Sequence, residues 1–193
     1  NPDLKILTFV AVGVDGQLED QTRTYRQLYE NSQALARGLA DLGVSQGDKL
    51  ALMMNNHPEF VETMVASGIL GATFIPIDPR TMGTKLSYML DFTDSQGLIC
   101  ADYALAAVLS VVADCPGFKW LVVVPTADAP PLPRAPLPVI NFSDLVAAVE
   151  EPLPLVEQEP ADTMFMLFTS GTTGNPKTVI FSHQKYMGST LSP

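Results

Sequence analysis

Cysteine is scarce, with only Cys100 and Cys115 in 193 residues. Their spacing fits neither a disulfide framework nor a cysteine-based metal site. Both are expected to be buried, inert thiols in a reducing compartment. Basic residues are also few: 11 Lys and Arg stand against 21 Asp and Glu, for a formal net charge of −10. That balance argues against nucleic-acid binding, which draws its affinity from Lys and Arg neutralising many phosphates. A local anion site stays possible, because backbone N–H groups bind anions without net positive charge. Long apolar runs are missing too. The longest that suits a helix, Ala104 to Ala113, is about half of the roughly 20 residues that a bilayer core requires. No transmembrane segment is therefore expected. No charged-then-apolar leader opens the chain and Asn1 is not an initiator residue, so a fragment of a longer protein is expected.

What is present is a hydrophobic content of 47%, enough to bury a real core in one domain or a large part of one. "KILTFVAV" reads as a strand, and Asp15-Gly16 supplies a turn signal after it. Thr24 with Gln27 three residues on has the form of a capping box. Leu28, Ser32, Leu35, Leu39 and Leu42 then follow at helical spacing, and Gly43 suits the C-terminal cap.

From Lys49 onward, short apolar runs alternate with helical patterns. "KLALMM", "ATFIPI", "GLICA" and "WLVVV" read as strands. A helix led by Pro58 and running to about Leu70, a second over Thr84–Thr93 and a third over Tyr103–Ala113 read as the crossovers. This βαβ alternation specifies an α/β fold with a largely parallel sheet covered by helices. Between Pro125 and Pro138 stand six prolines, read as an extended surface connection. "FSDLVAAVEE" is expected to form a short helix capped by Ser143. Glu150, Glu151, Glu157 and Glu159 are expected to lie on a solvated surface. Residues 1–160 are assigned to one α/β subdomain, with the connection 125–138 inside it. Residues 161–193 are assigned to a loop hairpin and the start of a following segment.

The chemistry concentrates in "MFMLFTSGTTGNPKTVIFSH", Met164 to His183. An apolar strand delivers the chain into Thr169-Ser170-Gly171-Thr172-Thr173-Gly174, six residues with four hydroxyls and two glycines. Glycine lets backbone N–H groups approach an anion, hydroxyls donate to phosphate oxygens, and Lys177 adds a cation with three donors. The octet Gly171–Thr178 departs from the Walker A pattern only at Pro176. Pro176 has no N–H and a fixed φ. The β-branched and aromatic residues after Lys177 favour a strand over the helix that a Walker loop requires. The expected architecture is strand, flexible loop, strand. A polar hairpin turn with a solvated lysine is the bland alternative. His183, read as the end of the strand after the loop, is expected to play a structural role, His57 a surface-loop role and Asp78 a turn-forming one, and Gly68 and Gly71 are expected to allow close packing of a helix on the sheet.

At this point the chain resembles the adenylate-forming superfamily of acyl-CoA synthetases, nonribosomal-peptide adenylation domains and luciferases. "FTSGTTGNPKTVIFSH" is similar to that family's phosphate-loop signature. "TRTYRQLYENSQALARGLADLGVSQGDKLAL" and "ASGILGATFIPIDPRT" are similar to its earlier segments, in order. Thr178 stands where the family usually has glycine. The resemblance implies the first part of a large N-terminal domain, from an enzyme that activates a carboxylic acid with ATP and Mg²⁺ and passes the acyl group to coenzyme A. It implies phosphate binding by Thr169, Ser170, Gly171, Thr172, Thr173, Gly174 and Lys177. No catalytic residue or metal ligand is assigned here, because those segments lie further on in the family. It implies as partners the missing remainder of the N-terminal domain and a C-terminal domain, a cytoplasmic location, and inactivity of residues 1–193 alone. Loading of a carrier-protein thiol and a non-catalytic nucleotide-binding fragment are the alternatives.

Overall fold

The computed structural model describes residues 1–12, 16–126, 131–146, 152–169 and 175–191. Strand β1 (Lys5–Val12) pairs antiparallel with β2 (Leu18–Thr24) as a separate two-stranded sheet. Gly16 in the connecting turn has φ +80°; its partner in the sequence signal, Asp15, lies outside the described residues. Strand β2 escapes the sequence pattern because "LEDQTRT" has no apolar alternation and no buried residue.

Helix α1 (Tyr25–Asp41) starts on the expected capping box. The Gln27 N–H donates to Thr24 Oγ1 at 3.2 Å and the Thr24 N–H donates to Gln27 Oε1 at 3.0 Å, so two otherwise orphaned donors are satisfied. Gly43 beyond its end has φ +89°. Ser32, Leu35 and Leu39 face the core.

The alternation then runs β3 (Lys49–Met53), α2 (Pro58–Leu70), β4 (Thr73–Pro76), α3 (Gly83–Phe92), β5 (Gly97–Ala101), α4 (Asp102–Leu109) and β6 (Trp120–Val124). After the proline-rich segment come β7 (Val139–Asn141), α5 (Phe142–Leu145), β8 (Thr163–Thr169), β9 (Lys177–Ser182) and α6 (His183–Leu191). Strands β3 to β9 form one sheet in the order β7-β6-β5-β3-β4-β8-β9. Every pair in it is parallel except β8 with β9.

Period-two alternation splits the strand side chains between two cores. Leu50, Leu52, Ile99, Trp120 and Val122 face the side covered by α1, α2 and α5. Ala51, Met53, Leu98, Cys100, Leu121 and Val123 face the side covered by α3 and α4. Strands buried on both faces are why these runs are continuously apolar.

Four local expectations are corrected. Helix α4 ends at Leu109, not near Ala113, and a 3₁₀ turn follows over Val112–Asp114. There the Ser110 hydroxyl donates to the Ala107 carbonyl at 2.7 Å, and β-branched Val111 and Val112 are poor helix formers. The cap of α5 is Asn141, whose Oδ1 accepts from the backbone N–H and hydroxyl of Ser143. Gly68 is not needed for packing, since a Cβ there would meet nothing within 4 Å. Gly71 instead ends α2 in the left-handed region at φ +67°. His183 opens α6 and does not end the preceding strand. Glu157 and Glu159 are exposed as expected, while Glu150 and Glu151 lie outside the described residues. Residues 131–138 form no helix or strand, and Leu132 and Leu137 pack inward against the α3–α4 side.

Candidate functional site at the carboxyl edge of the sheet

The parallel strands end on one edge of the sheet, and β9 begins there. The loops on that edge are where α/β sheets present ligand-binding groups. Thr169 and Lys177 form the register pair at the neck of the β8–β9 hairpin, and the Thr169 hydroxyl donates to the Lys177 carbonyl at 3.2 Å. Ser170, Gly171, Thr172, Thr173 and Gly174 lie outside the described residues. Both Thr169 and the Lys177 side chain are exposed.

An aromatic cluster anchors the neck. Phe165 of β8 stacks on Phe74 of β4 at 5.3 Å and on Phe181 of β9 at 4.6 Å, and meets Tyr186 of α6 edge-on at 5.6 Å. The Thr73 hydroxyl donates to the Thr163 carbonyl at 3.0 Å. Aromatic pairing of this kind adds about 0.5–1.5 kcal/mol per contact beyond area burial, so the loop springs from a fixed base.

Beside the neck lies a cleft of about 490 Å³. Phe168, Thr169, Asn175 and Pro176 form one wall; Asp78, Thr81, Thr84 and Lys85, from the β4–α3 connection and the start of α3, form the other. The first turn of α3 has no side-chain cap on its N-terminal N–H groups. Its Thr84 and Lys85 are exposed. A helix N-terminus carries partial positive charge, and with Lys85 it makes this wall favourable for an anion despite the chain's net charge.

Asp78 does not offset that charge freely, because Arg80 neutralises it. The Arg80 guanidinium donates to Asp78 at 3.0 and 2.6 Å and its backbone N–H donates at 2.9 Å. These bonds, the side-chain ones first, hold the Asp78 carboxyl down at about 2. An ionised, paired carboxylate is a poor proton shuttle near neutral pH. The turn-forming reading of Asp78 is thus the one the geometry carries.

His57 precedes α2 at the same edge, where the loops after β3 and β5 leave for opposite faces. Its Nε2 lies 3.0 Å from the Tyr103 hydroxyl, which also accepts from the Asn55 N–H at 2.8 Å. This bridge ties the two loops together. Burial is the largest cause raising the Tyr103 phenol. His183 is likewise engaged. Gln158 donates through Nε2 to the Gly68 carbonyl at 2.7 Å, so its Oε1 faces His183 Nε2 at 2.8 Å and the histidine nitrogen carries the proton. Both histidines hold structure.

Cys100 and Cys115 are buried free thiols. Burial, with Asp102 nearby, pushes the Cys100 thiol up to about 12, which keeps it protonated and unreactive at neutral pH. Among the described residues no group of three or more His, Cys, Asp or Glu side chains is placed to hold a metal. No described helix is long and apolar enough to cross a membrane. Lys85, the uncapped start of α3 and the exposed Lys177 give the cleft beside the loop neck a local positive character. Sequence reading singled out the loop and did not single out Thr81, Thr84 or Lys85, which the fold sets across a cleft from its neck. The only local sign of them was the turn "PIDPRT" at a strand end.

A family model described as "AMP-binding enzyme" matches residues 2–192. The chain is 32% identical over 161 residues to 4-coumarate–CoA ligase CCL1 of Humulus lupulus, covering 83% of this chain and 28% of that protein. It is 32% identical over 175 residues to 3-oxocholest-4-en-26-oate–CoA ligase of Rhodococcus rhodochrous, covering 91% and 30%. The peroxisomal long chain acyl-CoA synthetase 7 of Arabidopsis thaliana is 29% identical, with 83% and 23% covered. The chain thus spans under a third of the length of these curated relatives. Its fold matches the crystal structure of the anthranilate CoA ligase AuaEII in complex with anthranoyl-AMP, with a TM-score of 0.76 at 23% identity, covering 86% of this chain and 31% of that one.

Proposed function

Because this chain belongs to the AMP-binding enzyme family, we propose that the complete protein is an ATP-dependent, AMP-forming carboxylate–CoA ligase and that residues 169–177 hold the leaving pyrophosphate. The observation that carries the proposal is the β8–β9 hairpin. A hydroxyl- and glycine-rich loop closed by Lys177 rises from an aromatic base at the carboxyl edge, beside a cleft with an uncapped helix start and Lys85. The CoA-ligase relatives support the choice of reaction.

In the proposed reaction a substrate carboxylate oxygen attacks the α-phosphorus of ATP. The bond to the β,γ-diphosphate breaks, giving an acyl adenylate and pyrophosphate. The thiol of coenzyme A then attacks the acyl carbon, loses its proton and expels AMP. Thr169, Ser170, Gly171, Thr172, Thr173, Gly174 and Lys177 would orient the β- and γ-phosphates and stabilise the charge that builds as pyrophosphate leaves. Lys177 fits that task, being an exposed cation at the loop mouth. Bound Mg²⁺ would neutralise phosphate charge, with its ligands supplied from beyond residue 193. The acyl pocket, the remaining nucleotide contacts and a C-terminal domain would also come from that part. Residues 1–160 would be the first subdomain of the large domain, with 161–193 opening the next segment, and the enzyme would work in the cytoplasm.

The test is carboxylate-dependent exchange of labelled pyrophosphate into ATP by the full-length protein, across a panel of aromatic, fatty and sterol-derived acids. Exchange with at least one acid, followed by CoA-dependent release of AMP, is the expected result. ADP as the product, or no exchange with any acid, would overturn it.

A further inference from the structure

We infer, from the chain's place in a longer family member and not from the chemistry proposed above, that β1 is an interior strand of a second sheet, with β2 as its outer edge and with the strand on the other side of β1 supplied from beyond residue 193. The two strands of the ribbon differ in kind. Six of the eight residues of β1, "KILTFVAV", are apolar. Successive side chains of a strand alternate between faces, so Leu7, Phe9 and Ala11 line one face while Val10 and Val12 line the other. A strand apolar on both faces is the kind that is covered on both sides, as β3, β5 and β6 are. Yet no residue of β1 is buried, and Val10 and Val12 are 61% and 71% exposed.

Strand β2 has the opposite character. "LEDQTRT" carries one apolar residue in seven, and Glu19, Asp20 and Gln21 stand across from Ala11, Val10 and Phe9. Charged side chains are how native edge strands discourage further pairing. The other edge of β1 has no such protection, and β2 is its only partner strand among the described residues. A long apolar strand with an open edge invites aggregation if left bare. Beside it a cleft of about 650 Å³ lies between Phe9, Val10 and Ala11 and the loop residues Asn55, His57 and Tyr103, which is room for more polypeptide. The occupant has to give β1 a neighbouring strand and also cover its faces. A second copy meeting it edge to edge would lengthen the sheet and leave both faces in water. The rest of the protein can do both, since this chain covers only 28% and 30% of the two ligases it matches at 32% identity.

The experiment is residue-resolved amide hydrogen exchange on the full-length protein, at two protein concentrations about a hundredfold apart. In an antiparallel pair alternate N–H groups point to the partner and the others point away. With a strand on each side of β1, consecutive amides from Leu7 to Ala11 should all be protected, within about tenfold of one another. In β2, alternate amides from Glu19 to Arg23 should exchange about a hundredfold or more faster than those between them. Both patterns should be the same at the two concentrations. Alternating protection along β1 would overturn the inference, and continuous protection along β2 would overturn its assignment as the edge. Protection of β1 that is lost on dilution would make the occupant a second copy and overturn the inference as well. The readout needs no substrate, so failure here is distinct from failure to find ligase activity.

Discussion

Gly97 faces the ring of Trp120 across the β5–β6 pair, where the two residues are in direct register. A Cβ on Gly97 would lie 2.2 Å from two atoms of that ring. Trp120 is almost wholly buried in the core on the α1–α2 side, so it has nowhere to move. Gly68 is the contrasting case, a helical glycine whose added Cβ would meet nothing within 4 Å. Gly97→Ala should destabilise by about 3 kcal/mol or more through overpacking of a fixed core. Gly68→Ala should stabilise by up to about 1 kcal/mol through helix propensity alone. Urea denaturation of the two variants should move the midpoint in opposite directions. A shift of the same sign for both would contradict the packing of β5 on β6. None of this was legible in the sequence, where Gly97 looked like an ordinary strand start and Gly68 like a packing glycine. Which glycine is sterically required depends on its cross-strand neighbour, and residue type does not report that.

At the scale of elements, the β1–β2 hairpin stands as a separate two-stranded sheet, and neither strand buries a residue fully. A two-stranded ribbon is marginal by itself. Its buried anchor point is Glu62 of α2, which accepts from Arg23 Nε at 2.8 Å and from Asn31 Nδ2 at 2.7 Å, beside the exposed ties of Asp3 and Leu4 to Arg26 and Tyr25. Through this one carboxylate, β2, α1 and α2 are joined. Glu62→Ala should leave Arg23 and Asn31 without that acceptor and release the hairpin first. Hydrogen bonds to charged groups are worth about 1.5–3 kcal/mol, so amide exchange over residues 5–12 and 18–24 should accelerate at least about tenfold. Amides of β3 and β5 should be unaffected. Equal acceleration everywhere would show that Glu62 supports the whole core instead. The elements themselves were readable wherever a period was present: β3 to β6 and α1 to α3 fall within a residue or two of expectation. Strand β7 is only Val139–Asn141 and follows a proline-rich run, so it left no pattern. Helix α6 begins in a stretch whose β-branched and aromatic residues belong to β9, and its own residues carry little apolar periodicity.

For the molecule as a whole, function depends on a strand order that local patterns do not encode. Strand β8 inserts beside β4, far back along the chain. That insertion sets Thr81, Thr84 and Lys85 across a cleft from the loop neck. The loop was legible because its chemistry is contiguous, and its facing wall was not because it is assembled by topology. The same geometry bears on what residues 1–193 can do alone. Under the proposal above they would supply one anion-binding edge, and the contacts to the α-phosphorus and the attacking carboxylate would come from the rest of the protein. Adenylation draws much of its acceleration from holding those two atoms in line. Binding a triphosphate tail without fixing the reacting centre gives affinity without rate. The isolated segment should therefore show no carboxylate-dependent pyrophosphate exchange under conditions in which the full-length protein, at equal concentration and with its preferred acid, does. Its folding should be confirmed first by a cooperative urea transition. Exchange by the folded segment at even a hundredth of the full-length rate would place the reacting-centre contacts inside residues 1–193 and would require the division of the site proposed above to be redrawn.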